Sequence, residues 1–96
     1  LQPAFGVYAI TASVRGDEAV YHGVCNVGRR PTVNDRGILA EAHLFDFDQD
    51  IYGEMLDIRL KGFLRPEQKF DGLDALKAQI AQDADAARLL LASADR

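Results

Sequence analysis

Residues 5–14, FGVYAITASV, lead through Arg15, Gly16, Asp17 and Glu18 into residues 19–27, AVYHGVCNV. Both runs are rich in β-branched and aromatic residues, and the four residues between them have turn chemistry. The spacing predicts an antiparallel hairpin, and the rest of the chain is read outward from it. Residues 28–37 (GRRPTVNDRG) break the pattern with two glycines, a proline, an Asn-Asp pair and three arginines, which predicts an exposed loop. A strand is predicted over 38–47 (ILAEAHLFDF), a turn over 48–53 (DQDIYG) and a further strand over 55–63 (MLDIRLKGF). In that last strand Leu56, Ile58 and Leu60 alternate with Asp57, Arg59 and Lys61, the mark of a half-buried strand with one wet face.

The period then changes. Leu73, Leu76, Ile80, Ala84, Ala87 and Leu91 recur at helical spacing, while Lys77, Gln82, Asp83 and Asp85 are read as lying off that stripe. Asp71 is the expected N-cap, with Asp74 three positions on and Phe70 before it as a packing residue. One amphipathic helix is predicted over about residues 72–92. Four strands followed by a helix predict a mostly β protein. Its antiparallel sheet is expected to form a barrel closed on one side by the C-terminal helix. Four strands alone rarely close a barrel, so upstream strands are expected in the natural protein. The start at Leu1 and the single methionine, Met55, fit the same expectation.

Composition excludes several classes. The 96 residues suit one domain, residues 1–96, and the mixture of 48% hydrophobic and 27% charged residues is that of a globular protein. A net charge of −4 argues against nonspecific nucleic-acid binding, which draws on a basic surplus. No apolar run approaches the ~20 residues of a membrane helix, and no signal peptide opens the chain, so neither a membrane nor secretion is expected. Cys25 has no cysteine partner, which suits a reducing cytoplasm, and it reads as a small core residue between Val24 and Val27. With one cysteine and two separated histidines there is no zinc spacing.

Residue chemistry alone offers modest sites. Gly28, Arg29, Arg30 and Thr32 could hold a phosphate, although a solvated loop is the commoner explanation of such a run. Glu41 is set between Ala40 and Ala42 and, by strict alternation, shares a face with His43, Phe45 and Phe47. It is either an exposed strand glutamate or a carboxylate in a cleft that can act as a base. Asp46, Asp48 and Asp50 lack the glycine and distal glutamate of a calcium loop and read as a polar turn. Arg65, Glu67, Lys69 and Phe70 cluster before the helix, as a ligand lip or as capping.

In order, GVYA (6–9), GVCNVGRRPT (23–32), EAHLFDFDQDIYG (41–53), LRPEQKF (64–70) and an acid-capped helix resemble the riboflavin kinase domain. The likeness is to the C-terminal module of bacterial bifunctional riboflavin kinase/FMN adenylyltransferases, and it runs from about Phe5 to Arg88. The resemblance implies a six-stranded antiparallel Greek-key barrel with a helix beside it. It implies transfer of the ATP γ-phosphoryl group, with Mg2+, to the 5′-hydroxyl of riboflavin to give FMN, a step of FAD biosynthesis. Within it Glu41 takes the place of the catalytic base, and Tyr52 lies by the nucleotide. Arg65, Glu67 and Phe70 fall in the flavin segment, where Phe70 can lie beside the ring and Arg65 can contact the flavin or its phosphate. An adenylyltransferase domain is the implied upstream partner.

One departure stands out. The family's magnesium-binding segment, ending L-G-x-P-T-A-N, precedes the GVYA strand, and this chain begins at Leu1-Gln2-Pro3-Ala4. Thr32 and Asn34 follow the second strand in a different context, so no metal ligand is assigned to them. The chain as it stands is therefore expected to be inactive alone. The alternative is a flavin- or nucleotide-binding barrel without kinase activity, for which a base at Glu41 would have no use.

Overall fold

The computed structural model describes residues 4–30, 37–47, 53 and 55–94. The elements are β1 (Gly6–Val14), β2 (Tyr21–Arg30), β3 (Gly37–Leu44), β4 (Leu56–Arg65) and α1 (Leu73–Ala94). They form one antiparallel sheet in the order β3-β2-β1-β4, with α1 packed across β1, β2 and β4. Mostly β architecture with a C-terminal helix is thus as expected. The expected barrel is not closed among the described residues, because β3 and β4 are hydrogen-bonded on one side only. Four twisted strands cannot curl far enough to bring those edges together.

The predicted hairpin of β1 and β2 pairs Tyr8 with Cys25, Ala9 with Val24 and Ile10 with Gly23. Alternation along β1 then divides the core between the two faces of the sheet. On one face Tyr8, Ile10, Cys25 and Val27 form a buried cluster with Phe5 and Leu44 packed against it. The Tyr8 ring meets Phe63 edge-on at 5.2 Å, and its hydroxyl donates to the Ala4 carbonyl. On the other face Ala9 lies under Phe45, Ala87 and Leu91, flanked by Val24, Leu64, Ala84 and Leu90. Fully burying a side chain the size of Leu91 or Ile10 contributes about 2 kcal/mol.

Several local expectations are revised. Gly28, Arg29 and Arg30 belong to β2, paired with Leu39, Ile38 and Gly37, and so are strand and not loop residues. Thr32 and the rest of 31–36 fall outside the described residues, as do Asp48, Asp50 and Tyr52. β3 ends at Leu44, before Phe45 and Phe47, because Asp46 turns the chain with a φ of 56°. The expected alternation of a half-buried strand does not carry through β4: Ile58 and Leu60 are exposed along with Asp57, Arg59 and Lys61, because among the described residues β4 is an edge strand. The register against β1 shifts twice, between Val7 and Tyr8 and between Ala9 and Ile10, which carries β4 on to Arg65. The helix starts at Leu73, with the Leu76 amide donating to the Gly72 carbonyl, so Gly72 and not Asp71 occupies the cap position.

The stripe on α1 divides in two. Ala87 and Leu91 are fully buried, whereas Leu73, Leu76 and Ile80 are exposed. Asp83, assigned to the wet side by its charge, is buried at 7% exposure. Its spacing from Ile80 and Ala87 places it on the apolar stripe, where an ion pair keeps it.

Two outcomes check this packing. Leu91→Ala should lower the unfolding free energy by about 3 kcal/mol in chemical denaturation, and Leu89→Ala, at an exposed position, by less than about 0.5 kcal/mol. Burial pushes the Cys25 thiol up from its ordinary pKa, so the folded state resists ionisation. The stability this lends is present below the unfolded thiol's pKa and declines as pH rises past it. A thiol reagent at pH 8 should therefore label Cys25 slowly in the native protein and quickly in denaturant; rapid native labelling would place the thiol at the surface.

Candidate functional site

The second half of α1 is pressed onto the sheet through small residues. A side chain at Gly62 would collide with Leu90, so β4 and α1 touch closely there. The first half of α1 and the segment from Pro66 to Phe70 stand off the sheet and leave a cleft of about 580 Å³. Its sheet wall carries Val7, Val24, Asn26, Glu41 and His43; its outer wall carries Arg65, Glu67, Phe70, Leu76, Ile80 and Asp83.

Register explains the sheet wall. Glu41 lies opposite Asn26, and His43 opposite Val24, which itself pairs with Ala9 beneath the helix. Alternation therefore turns Glu41 and His43 to the helix side of the sheet. Glu41 is exposed within the cleft and not sunk beneath it. Phe45, expected on the same face, packs under α1 with the Arg88 guanidinium 4.2 Å above its ring. Phe47 meets Tyr21 edge-on at 4.8 Å. Neither lines this cleft.

The outer wall is held by an ion pair. Arg65, the last residue of β4, donates from Nε to Asp83 Oδ1 and from Nη2 to Asp83 Oδ2, each at 2.9 Å. This two-point geometry is the strong form of an arginine–carboxylate contact. Gln79 Nε2 donates to the same Oδ1 at 2.9 Å, and Arg65 Nη1 donates to the Pro66 carbonyl at 3.1 Å. The guanidinium carbon also sits 5.7 Å from the centre of the Phe70 ring. Glu67 reaches back over β2, where its carboxylate occupies the space a side chain at Gly28 would need.

The cleft thus brings together four of the five residues singled out in sequence, Glu41, Arg65, Glu67 and Phe70; Tyr52 lies outside the described residues. It adds Asn26, His43, Leu76, Ile80 and Asp83, with Gln79 behind them as a hydrogen-bond partner of Asp83. Asn26 had a legible signal, a polar residue within an apolar strand. Among the described residues no group of three His, Cys, Asp or Glu could hold a metal ion. A second hollow of about 410 Å³ lies by Tyr21, His22, Asp46 and Arg88, away from Glu41.

A volume of this size, apolar along the helix and polar along the sheet, has the form of a small-molecule site. The comparisons identify the kind of protein. The family model described as Flavokinase, riboflavin kinase, matches residues 1–91, and the chain belongs to the riboflavin kinase family. The bifunctional riboflavin kinase/FMN adenylyltransferase of Haemophilus influenzae is 42% identical over 88 residues, covering 92% of this chain and 28% of its own length. That of Bacillus subtilis is 42% identical over 84 residues, covering 84% of this chain and 26% of its own. The trifunctional protein RibF/MnmA of Mycoplasmoides gallisepticum is 42% identical over 71 residues, 74% of this chain and 11% of its own. The chain spans less than a third of the length of these relatives. A solved structure described as a macrolide-efflux protein from Streptococcus pneumoniae superposes with a TM-score of 0.78 at 33% identity, over 92% of this chain and 28% of that one. Among the described residues no helix of this chain is long and apolar enough to cross a membrane.

The contact at Gly28 gives a local test. Gly28→Ala should displace the Glu67 carboxylate while β2 keeps its pairing, because the far end of a flexible side chain can yield. The expected result is a stability loss within about 1 kcal/mol and an unchanged far-ultraviolet circular dichroism spectrum. Loss of the fold would mean that the backbone cannot accept the methyl group.

Proposed function

We propose that this chain supplies the flavin-binding side of a riboflavin kinase that makes FMN from riboflavin and ATP. The observation that carries the proposal is the meeting of Glu41 with Arg65, Glu67 and Phe70 in one cleft. The flat isoalloxazine ring lies toward Phe70, Leu76 and Ile80, and the ribityl chain runs along the sheet to Glu41. Glu41 accepts the proton of the 5′-hydroxyl as that oxygen forms a bond to the γ-phosphorus. The bond from the γ-phosphorus to the bridging oxygen breaks, and ADP leaves. Such a transfer depends on positioning and charge stabilisation more than on covalent chemistry, so one base beside a fixed acceptor hydroxyl suffices on this side.

ATP enters with magnesium as its substrate complex, which neutralises charge on the phosphates. The described residues contain no ready-made metal cluster, so no role in holding that ion is given to them. Tyr52 is proposed beside the nucleotide on the resemblance alone. The bifunctional relatives support a covalently linked adenylyltransferase domain and a place in FMN and FAD biosynthesis; the cytoplasm is proposed as its compartment on the single unpaired cysteine. Neither a nucleic acid nor a membrane is proposed as a partner, in keeping with the charge of −4.

The test is FMN formation by the full-length protein from riboflavin, ATP and magnesium. Glu41→Gln should reduce kcat by about 10²–10⁴-fold, the usual worth of a general base, and leave riboflavin binding within about twofold. Near-normal turnover would remove Glu41 from the chemistry. Riboflavin binding without any FMN in the unmutated protein would favour a flavin-binding module over a kinase.

A further inference from the structure

A molecule that reaches from Glu41 to the far wall of the cleft has to cross the middle of the sheet. Glu41 is on β3 and Phe70 follows β4, and these two strands are the edges of the sheet. The strands between them, β2 and β1, floor the cleft with Val24, Asn26 and Val7. Asn26 is the polar residue of the three. It pairs with Glu41 on one side and with Val7 on the other, so these residues form one row across the strands. Neighbouring strands are about 4.8 Å apart, and directly opposite residues have Cβ atoms about 5 Å apart. Asn26 is therefore the first residue met on leaving Glu41 in that direction, and Val7 the second.

Its setting singles it out. Cys25 and Val27, on either side of it, are buried in the core of the opposite face, whereas Asn26 is exposed to the cleft. Among the described residues its side-chain amide has no hydrogen-bond partner. Asparagine is depleted in strands, so β-propensity does not account for it here. An amide both donates and accepts, as a hydroxyl does, and it carries no charge that would compete with Glu41 for a proton.

We infer that Asn26 binds the middle of the acceptor's polyol chain, at the 2′- or 3′-hydroxyl, and so distinguishes a ribityl chain from one lacking that group. The inference rests on the proposed riboflavin kinase reading and adds the residue that reads the chain. With the terminal oxygen at Glu41, one strand spacing back along an extended polyol lies its second or third carbon. A hydroxyl there stands over the amide. The next spacing reaches the flat ring, above the apolar and buried Val7.

The experiment measures phosphorylation of riboflavin, 2′-deoxyriboflavin and 3′-deoxyriboflavin by the full-length protein with ATP and magnesium. Both analogues keep the ring and the 5′-hydroxyl. Asn26→Ala should lower kcat/KM for riboflavin by about fivefold to tenfold, the worth of one neutral hydrogen bond. The loss should fall on KM with kcat nearly unchanged, as for a contact made equally in the bound substrate and the transition state. The unmutated protein should show a similar loss on one of the two analogues, and on that analogue Asn26→Ala should cost little more.

An equal loss on all three substrates in Asn26→Ala would place its effect outside the chain hydroxyls and overturn the inference. Unchanged kcat/KM for riboflavin would make Asn26 a solvated residue of the cleft floor and overturn it likewise. If circular dichroism shows Asn26→Ala unfolded, Asn26→Val, which removes the amide and favours a strand, decides the matter by the same comparison. Failure of the unmutated protein to phosphorylate riboflavin would overturn the kinase reading itself, an outcome distinct from a loss confined to the variants.

Discussion

The seat of α1 on the sheet is the constraint from which the rest of the architecture follows. Ala9 and Gly62 present almost no side chain to the helix, and Ala84 and Ala87 present almost none to the sheet. Backbones can therefore approach closely over the second half of the helix, with Leu90, Leu91 and Phe45 filling the remaining space. A straight helix seated at one end on a twisted sheet diverges from it at the other. That divergence opens the cleft. The apolar residues of the first helical half, Leu76 and Ile80, then line a ligand-sized space where closer packing would have buried them.

Such a cleft would be a weak point without a brace. The ion pair between Arg65 and Asp83 joins the end of β4 to the middle of α1 at the boundary between seated and lifted helix. Burying the pair carries a desolvation cost, and replacing it with apolar residues would often leave stability unchanged or improved. Stability is thus a poor explanation for its presence. Orientation is a better one: apolar packing allows a wall to shift, while a two-point ion pair fixes distance and angle together. The Glu67 carboxylate over Gly28 has the same character, because the place of a polar group is set by what the backbone opposite leaves empty.

Most of this fold was legible in the sequence, and the failures have identifiable causes. The hairpin, the third and fourth strands and the helix follow from period and turn chemistry, and the hairpin and the second half of the helix do commit one face to a core. Gly28, Arg29 and Arg30 looked like loop residues by type, yet their backbone pairs with β3 irrespective of side-chain polarity. The end of β3 was misplaced because Phe45 and Phe47 continue the apolar alternation, and only the left-handed turn at Asp46 breaks it. Asp83 was misassigned for the opposite reason. Its spacing from Leu76, Ile80, Ala87 and Leu91 marks it as inward-facing, and its charge outweighed that spacing. A charged residue at an inward helical position is better treated as a search for its partner.

The site was legible where chemistry and alternation coincide and obscure where it depends on long-range pairing. Glu41 stood out as a carboxylate between two alanines in a strand, although an ordinary exposed glutamate explained it equally well and only the family resemblance gave it the role of a base. Alternation then allowed either a wet face or a cleft. The fold supplies both at once, since Glu41 is exposed to a space that α1 encloses from above. That resolves a tension in the chemistry. In the proposed kinase a base has to stay accessible to an incoming hydroxyl and to a nucleotide approaching from outside the cleft, so a fully buried glutamate would serve poorly. The end proposed to take the ring, by contrast, gains from walls that exclude water and hold flat groups in register. Placing the exposed carboxylate on the sheet and the braced arginine on the helix side lets one small module meet both demands.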